Sequence, residues 1–285
     1  LEEPFFIRNV MGRILMPDPR FAISPVSVLL QAEEVLESLR PNGFVFHMSA
    51  CGSTLLANMF RALPGTISLG EPNVLYDILA LSRTEDADPA VKLFRNCVSA
   101  LGQKRLGTER HYVIKFGSAT TLFLPLILQA FPDVPRIFLY RDPVEVLVSN
   151  MKNPGQEWLF EAELTGLDNR TMTEENTVLE NCAIALKHTI QAFIDNSEGN
   201  HLIVNYNQFS PALIERILSF FGIAASQTEL ESMLAAGEGH AHNRQAAFQP
   251  DAQDKQNAAS AKLRRVAVEQ LGQVYEQLES MKVTL

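Results

Sequence analysis

The sequence predicts an α/β fold in three layers, α/β/α, with a central parallel sheet and helices on both of its faces. Three observations carry this. Short, near-continuous apolar runs at residues 44–48, 111–116, 136–140 and 201–206 alternate with longer segments of helical spacing. Strands buried on both faces read this way, and they belong to parallel sheets. The first of these runs passes through a few small polar residues directly into a helical pattern, as a strand–loop–helix unit does. At 285 residues and 46% hydrophobic, the chain can bury a full core, and no internal repeat divides it, so residues 1–285 are read as a single domain.

The elements follow in order. Residues 1–40 form an N-terminal extension, in which 1–30 read as extended pieces broken by proline and 31–40 as a short helix stopped by Pro41-Asn42-Gly43. The strand 44–48 comes next, and Leu55, Leu56, Met59, Phe60 and Leu63 then recur at helical spacing. Gly65-Thr-Ile-Ser-Leu-Gly-Glu-Pro72 reads as a short strand ending at Glu71, with Pro72 opening a helix over 73–81. Helices are predicted at 90–106, 120–131, 144–151, 174–196 and 211–221, the last closed by Gly222. Residues 154–172, around Trp158, read as a loop or lid, 237–260 as a mobile loop, and 261–281 as a closing amphipathic helix.

Composition excludes several function classes. A net charge of −9 argues against general nucleic-acid binding, so an anionic ligand requires a few cations gathered locally. No run of about 18 apolar residues is present, which argues against a membrane span. The first residues lack the basic-then-apolar pattern of a secretory signal. Cys51, Cys97 and Cys182 have neither metal nor disulfide spacing, which fits a reducing, cytoplasmic setting and leaves the sequon at Asn169-Arg170-Thr171 without meaning.

The chemistry concentrates in two stretches. In Ser49-Ala50-Cys51-Gly52-Ser53-Thr54-Leu55 a strand turns through small and hydroxyl residues into a helix start. The first amides of a helix lack intrahelical partners and its dipole is positive there, so such a loop cradles a phosphate or sulfate. In Ile137-Phe-Leu-Tyr-Arg141-Asp142-Pro143 an arginine ends a strand, and Ser149 follows it by eight residues on the next helix. Two turns of helix put both side chains on one face, where a guanidinium fork and a hydroxyl can clasp a phosphate. The plainer alternative is a helix-capping turn with a solvated arginine.

Together these stretches resemble the sulfotransferases that use 3′-phosphoadenosine 5′-phosphosulfate, whose fold is P-loop NTPase-like. Residues 50–54 align with that family's 5′-phosphosulfate loop, and Arg141 with Ser149 match its 3′-phosphate motif. Ser68-Leu69-Gly70-Glu71-Pro72, Asn205-Tyr206-Asn207-Gln208-Phe209 and Leu218-Ser-Phe-Phe-Gly-Ile223 resemble further family elements, so the likeness spans most of 44–222. The resemblance implies transfer of a sulfuryl group to a hydroxyl or amine of a small-molecule or glycan acceptor, with 3′,5′-ADP as product and no metal. Ser49, Ala50, Cys51, Gly52, Ser53, Thr54 and Leu55 with Arg141 and Ser149 would hold the nucleotide. The nucleotide-kinase pattern Gly-x4-Gly-Lys-Ser/Thr is not present.

One position departs from the resemblance. Family members carry Lys or Arg where this chain has Ala50, and a methyl group cannot neutralise an anion. Three explanations stand open: Lys115 supplies the cation, His47 contributes when charged, or Ala50 marks the loss of a natural arginine. The base is open as well. The position two residues beyond Lys115, where cytosolic members carry His, is Gly117, and Glu71 is the substitute. Glu71 reads equally as a carboxylate that satisfies the helix after it. An impaired protein that binds 3′,5′-ADP without turnover, and a P-loop kinase for a small alcohol, are the alternative functions. His240 and His242 read as a loop pair rather than a metal site, Lys255, Lys262, Arg264 and Arg265 as a basic stretch within reach of the nucleotide or a solvated helix, and Trp158 as a lid anchor or a stacking platform.

Overall fold

A computed structural model of the chain describes residues 5–15, 23–83, 87–152, 175–237, 239–240, 243–247 and 251–284. Five strands form one all-parallel sheet: β1 (Gly43–His47), β2 (Thr66–Gly70), β3 (His111–Lys115), β4 (Arg136–Tyr140) and β5 (His201–Asn205), in the order β2-β3-β1-β4-β5. Helices cover both faces, giving three layers. Four of the strands fall on the apolar runs, and β2 falls on the short strand read between Gly65 and Glu71. Each is short and largely buried, β1 and β4 along their whole length, because a sheet covered on both faces leaves no strand side for polar residues.

The helices are α1 (Phe6–Ile14), α2 (Val26–Leu29), α3 (Ala32–Val35), α4 (Ser53–Ala62), α5 (Asn73–Ala80), α6 (Ala87–Leu101), α7 (Leu124–Ala130), α8 (Pro143–Lys152), α9 (Glu175–Asp195), α10 (Pro211–Phe220), α11 (Gln227–Gly237), α12 (Ala252–Ala258), α13 (Ala261–Val266) and α14 (Gly272–Met281). Their starts follow local chemistry: Ser210 accepts from the Leu213 amide at α10 and Ser260 from the Leu263 amide at α13. The core is aromatic along its middle. Phe46 stacks on Phe116 at 5.0 Å, and Phe138 lies 4.6 Å from Phe193 of α9, contacts that add to the burial of large apolar surface.

Several expectations need correcting. Residues 6–14 are helix rather than extended, because Ile7, Met11 and Ile14 recur at three- and four-residue spacing and no proline interrupts them. The stretch 31–40 holds only the short α3. Part of 237–260 holds secondary structure, two short paired strands (Gly239–His240 with Asn243–Ala247) and α12, where an Asp251–Lys255 pair sits at helical spacing. The closing helix is interrupted by a π-turn at Ala267–Leu271, just before Gly272. The lid 154–172 with Trp158, the sequon and His242 lie outside the described residues.

The topology positions the site. From β1, between β3 and β4, the chain first builds one half of the sheet and later the other. A crevice opens at such a switch point beyond the carboxyl ends of the strands. There the loop after β1 meets the ends of β3 and β4.

Candidate functional site

The loop after β1 has the backbone of a cradle. Gly52 sits in the left-handed region at φ +88° as the residue before α4. It is glycine for two reasons: side chains are strained at that φ, and a Cβ there would lie 2.5 Å from the ring of Tyr206. Ser53 and Thr54 form the buried first turn, and the Leu55 amide already donates to the Gly52 carbonyl at 3.0 Å. The helix therefore presents its positive end at Gly52 to Thr54. Two of the predicted ligand side chains are otherwise engaged. The Ser49 hydroxyl donates to Asn150 Oδ1 at 3.3 Å, and the Cys51 thiol is buried and donates to the Leu139 carbonyl at 3.2 Å. Burial pushes the Cys51 thiol up to about 12. Ala50, at the exposed tip, has φ +52°, a conformation costly for a residue with a Cβ.

On the β3 side, three predicted residues meet. Lys115, the last residue of β3 and 3% exposed, donates from Nζ to Glu71 Oε1. His47 Nε2 lies 3.8 Å from the same oxygen and bonds the Phe116 carbonyl at 3.0 Å. The sheet register produces this meeting: Gly70 pairs with Lys115, so the next residue of the β2 chain, Glu71, emerges beside the end of β3. Glu71 itself has φ +52°, and its amide donates to the Lys115 carbonyl at 2.7 Å. Ala50 and Glu71 are the two non-glycine residues with positive φ among the described residues, and both border the crevice. Strained backbone of this kind concentrates at functional sites. One oxygen of the Glu71 carboxylate, Oε1, engages Lys115, and no side chain caps α5. The start of α1 closes this side, with Lys115 Nζ 5.6 Å from the Phe5 ring centre.

On the β4 side stands Arg141, 4% exposed, its guanidinium 4.4 Å above the ring of Tyr206. Its Nε donates to Glu145 Oε2 and its Nη2 to Asp251 Oδ1 at 2.7 Å. Asp251 Oδ2 in turn accepts from Lys255 Nζ at 2.8 Å. Burial alone would lower the pKa of Arg141, yet the hydrogen bonds it donates to Asp251 and Glu145 hold it above its usual value. The Ser149 hydroxyl donates back to the Glu145 carbonyl at 3.0 Å. Arg141 and Ser149 thus both bond Glu145, Arg141 through its carboxylate and Ser149 through its backbone carbonyl. The Arg141 guanidinium is accompanied by two carboxylates rather than solvated.

The loop lies between these two cations. Both Lys115 and Arg141 pull the Cys51 thiol downward, against the larger effect of burial. A helix start flanked by two buried cations, each paired with carboxylate, has the chemistry to take an anionic group. Among the described residues no group of three His, Cys, Asp or Glu side chains is placed to hold a metal ion.

No protein-family model matches the sequence, and no curated protein matches it. Solved structures do. The chain is similar to the sulfotransferase domain from the curacin biosynthetic pathway, with a TM-score of 0.51 and 14% identity over 82% of this chain and 98% of that one. It is also similar to sulfotransferase STF9 from Mycobacterium avium, with a TM-score of 0.53 and 13% identity over 91% of this chain and 82% of that one. The fold is that of the sulfotransferases.

Within the sulfotransferase fold, the structure brings together Glu71, Lys115 and His47, and sets Gly52, Ser53, Thr54 and Leu55 at the helix start beside them. Sequence reasoning missed the residues that occupy Arg141. Glu145 carries a legible signal, four residues along the α8 face. Asp251 carries none, since it lies 110 residues away in a stretch without apolar pattern. Of the basic stretch, Lys255 reaches the Arg141 cluster, whereas Lys262 pairs with Glu180 at 3.3 Å and Arg265 with Glu269 at 4.0 Å. Among the described residues no helix is long and apolar enough to cross a membrane.

Proposed function

We propose that this chain is a sulfotransferase that binds 3′-phosphoadenosine 5′-phosphosulfate and transfers its sulfuryl group to a hydroxyl or amine of a small-molecule or glycan acceptor. The observation that carries the reading is the anion cradle at Gly52–Leu55 held between buried Lys115 and Arg141, at the switch point of a sulfotransferase fold. The donor set suits the nucleotide: helix-start amides and two hydroxyls for one anionic end, a guanidinium over an aromatic ring for the other.

When bound, the nucleotide supplies the activated sulfuryl group. The chain's part is to position it and to balance charge, as in phosphoryl transfer. The amides of Ser53 and Thr54, with their hydroxyls, hold the anion. Lys115 supplies the cation that Ala50 does not, its Nζ fixed by Glu71 at the edge of the loop. Glu71 accepts the acceptor's proton. As its carboxylate gains that proton it loses its hold on Lys115, whose charge then serves the negative charge building on the leaving group. His47 stands beside the pair, its Nε2 bonded to the Phe116 carbonyl and 3.8 Å from Glu71 Oε1.

A second reading, a nucleotide-binding protein of the same fold without turnover, is favoured by the methyl group of Ala50 and by the carboxylates on Arg141. Labelled donor with a panel of alcohols and amines separates the two. Transfer above the uncatalysed rate supports the enzyme, and 3′,5′-ADP binding with no transfer to any acceptor supports the second reading.

A further inference from the structure

Asp251 is the residue before α12, a position where an aspartate ordinarily accepts from the helix amides. Here it makes no such cap bond. Its two oxygens go elsewhere, Oδ1 to Arg141 at 2.7 Å and Oδ2 to Lys255 at 2.8 Å. One carboxylate bridging two cations imitates what two oxygens of a bound phosphate would do. The side chain of Arg141 is 5% exposed and that of Asp251 46%, so the visitor to this buried cation comes from the solvent side.

The helix behind Asp251 is held by polar ties. None of its residues is buried. Gln256 donates to Asp142 Oδ1 at 3.0 Å and to Glu145 Oε1 at 3.5 Å, and Arg264 in turn donates to Gln256 Oε1 at 3.0 Å. Ala259, extended, links it to Ser260, the cap of α13. An element with few apolar contacts and exposed hydrogen bonds is the kind that opens at low free-energy cost.

We propose that Asp251 is an internal occupant of the Arg141 anion site, so that a phosphate on the nucleotide's ribose binds by displacing this carboxylate and releasing α12. The inference rests on the nucleotide reading above and adds its regulation: the site is closed by the chain's own anion until a phosphate dianion competes for Arg141. Apparent affinity is then lowered by the fraction of molecules in which Asp251 is seated.

The test uses the full chain and its Asp251→Asn variant, which keeps the side chain's size and removes its charge at a half-exposed position. Calorimetric titrations with 3′,5′-ADP and 5′-AMP are paired with tryptic cleavage after Lys255, which reports release of α12. The expected results are about tenfold or more tighter 3′,5′-ADP binding by Asp251→Asn, equal 5′-AMP binding by both proteins, and faster cleavage after Lys255 both in Asp251→Asn and in the wild type with 3′,5′-ADP. If the wild type binds 3′,5′-ADP and Asp251→Asn binds it no more tightly, or is cleaved no faster, the inference is overturned while the proposed function stands. If neither protein binds 3′,5′-ADP, the proposed function falls and this inference with it.

Discussion

Buried Lys115 and half-buried Glu71 form an ion pair at the carboxyl edge of the sheet, and the Glu71 Oε1 atom lies 3.8 Å from His47 Nε2. The pair joins the end of β3 to the residue after β2, so it ties sheet register to the chemistry of the crevice. Replacing Lys115 by Met is expected to lower sulfuryl transfer by about 10²-fold or more, the usual loss when a transition-state charge partner is removed. It also strands Glu71, and breaking a buried pair from one side costs about 3–5 kcal/mol. The double variant Lys115→Met with Glu71→Gln should recover much of that stability in urea denaturation, yet remain inactive. Wild-type turnover by a folded Lys115→Met protein would remove Lys115 from the mechanism.

Ala50 stands at the exposed tip of the loop, so a long side chain there meets no packed core. Because Lys115 supplies the cation in this account, Ala50→Arg is expected to leave transfer within a few-fold of the wild type. A gain of about 10²-fold would show instead that the cation at the leaving group was missing.

Gly52 is expected to tolerate no side chain. Gly52→Ala costs about 1–2 kcal/mol for the left-handed backbone alone, and its methyl would lie 2.5 Å from the Tyr206 ring. Combining it with Tyr206→Ala should return the steric part and leave the backbone part, a coupling that a double-mutant cycle reads directly. Additive effects would show that the ring does not press on Gly52.

The thiols set an alkaline limit. Burial raises Cys51 to about 12 and Cys97 to about 11, both from an ordinary value of 9.0. A folded-state pKa above the unfolded one means stability present in full below pH 9 and lost as pH climbs toward those values. Urea midpoints should therefore fall between pH 8 and pH 10.5, and native Cys51 should resist alkylation at neutral pH. Rapid labelling of Cys51 in the folded protein would show that the loop opens to solvent.

Much of this was legible in the chain, and the reasons are physical. A strand covered on both faces must be apolar at nearly every position, so β1, β3, β4 and β5 could be read directly, and β2 as the short stretch before Pro72. The strand–loop–helix at Ser49–Leu55 was legible because a tight turn into a helix needs small residues. The meeting of Glu71 with Lys115 was not, because it depends on the parallel register of β2 with β3 and on Glu71 at φ +52°. The N-terminal helix α1 hid behind Phe5-Phe6-Ile7, a run that suits a strand as well as a helix when read alone. Arg141 was recognised as a cation but its neighbours were not. Asp251 reaches it only through the folded chain, and Ser149 spends its hydroxyl on the Glu145 carbonyl.

Arg141 should dominate recognition of the ribose phosphate. Arg141→Ala is expected to weaken 3′,5′-ADP binding by about 1.5–3 kcal/mol, the worth of hydrogen bonds to a charged group. The loss should be smaller for 5′-AMP, which lacks the second phosphate. Equal losses for the two nucleotides would move the phosphate site away from Arg141.

The central claim is that the crevice between Lys115 and Arg141 binds a 3′-phosphorylated adenine nucleotide. Isothermal titration of the full chain with 3′,5′-ADP and, separately, with ATP tests it most directly. The account expects saturable binding of 3′,5′-ADP and weak or no binding of ATP. Binding of ATP with none of 3′,5′-ADP would contradict it.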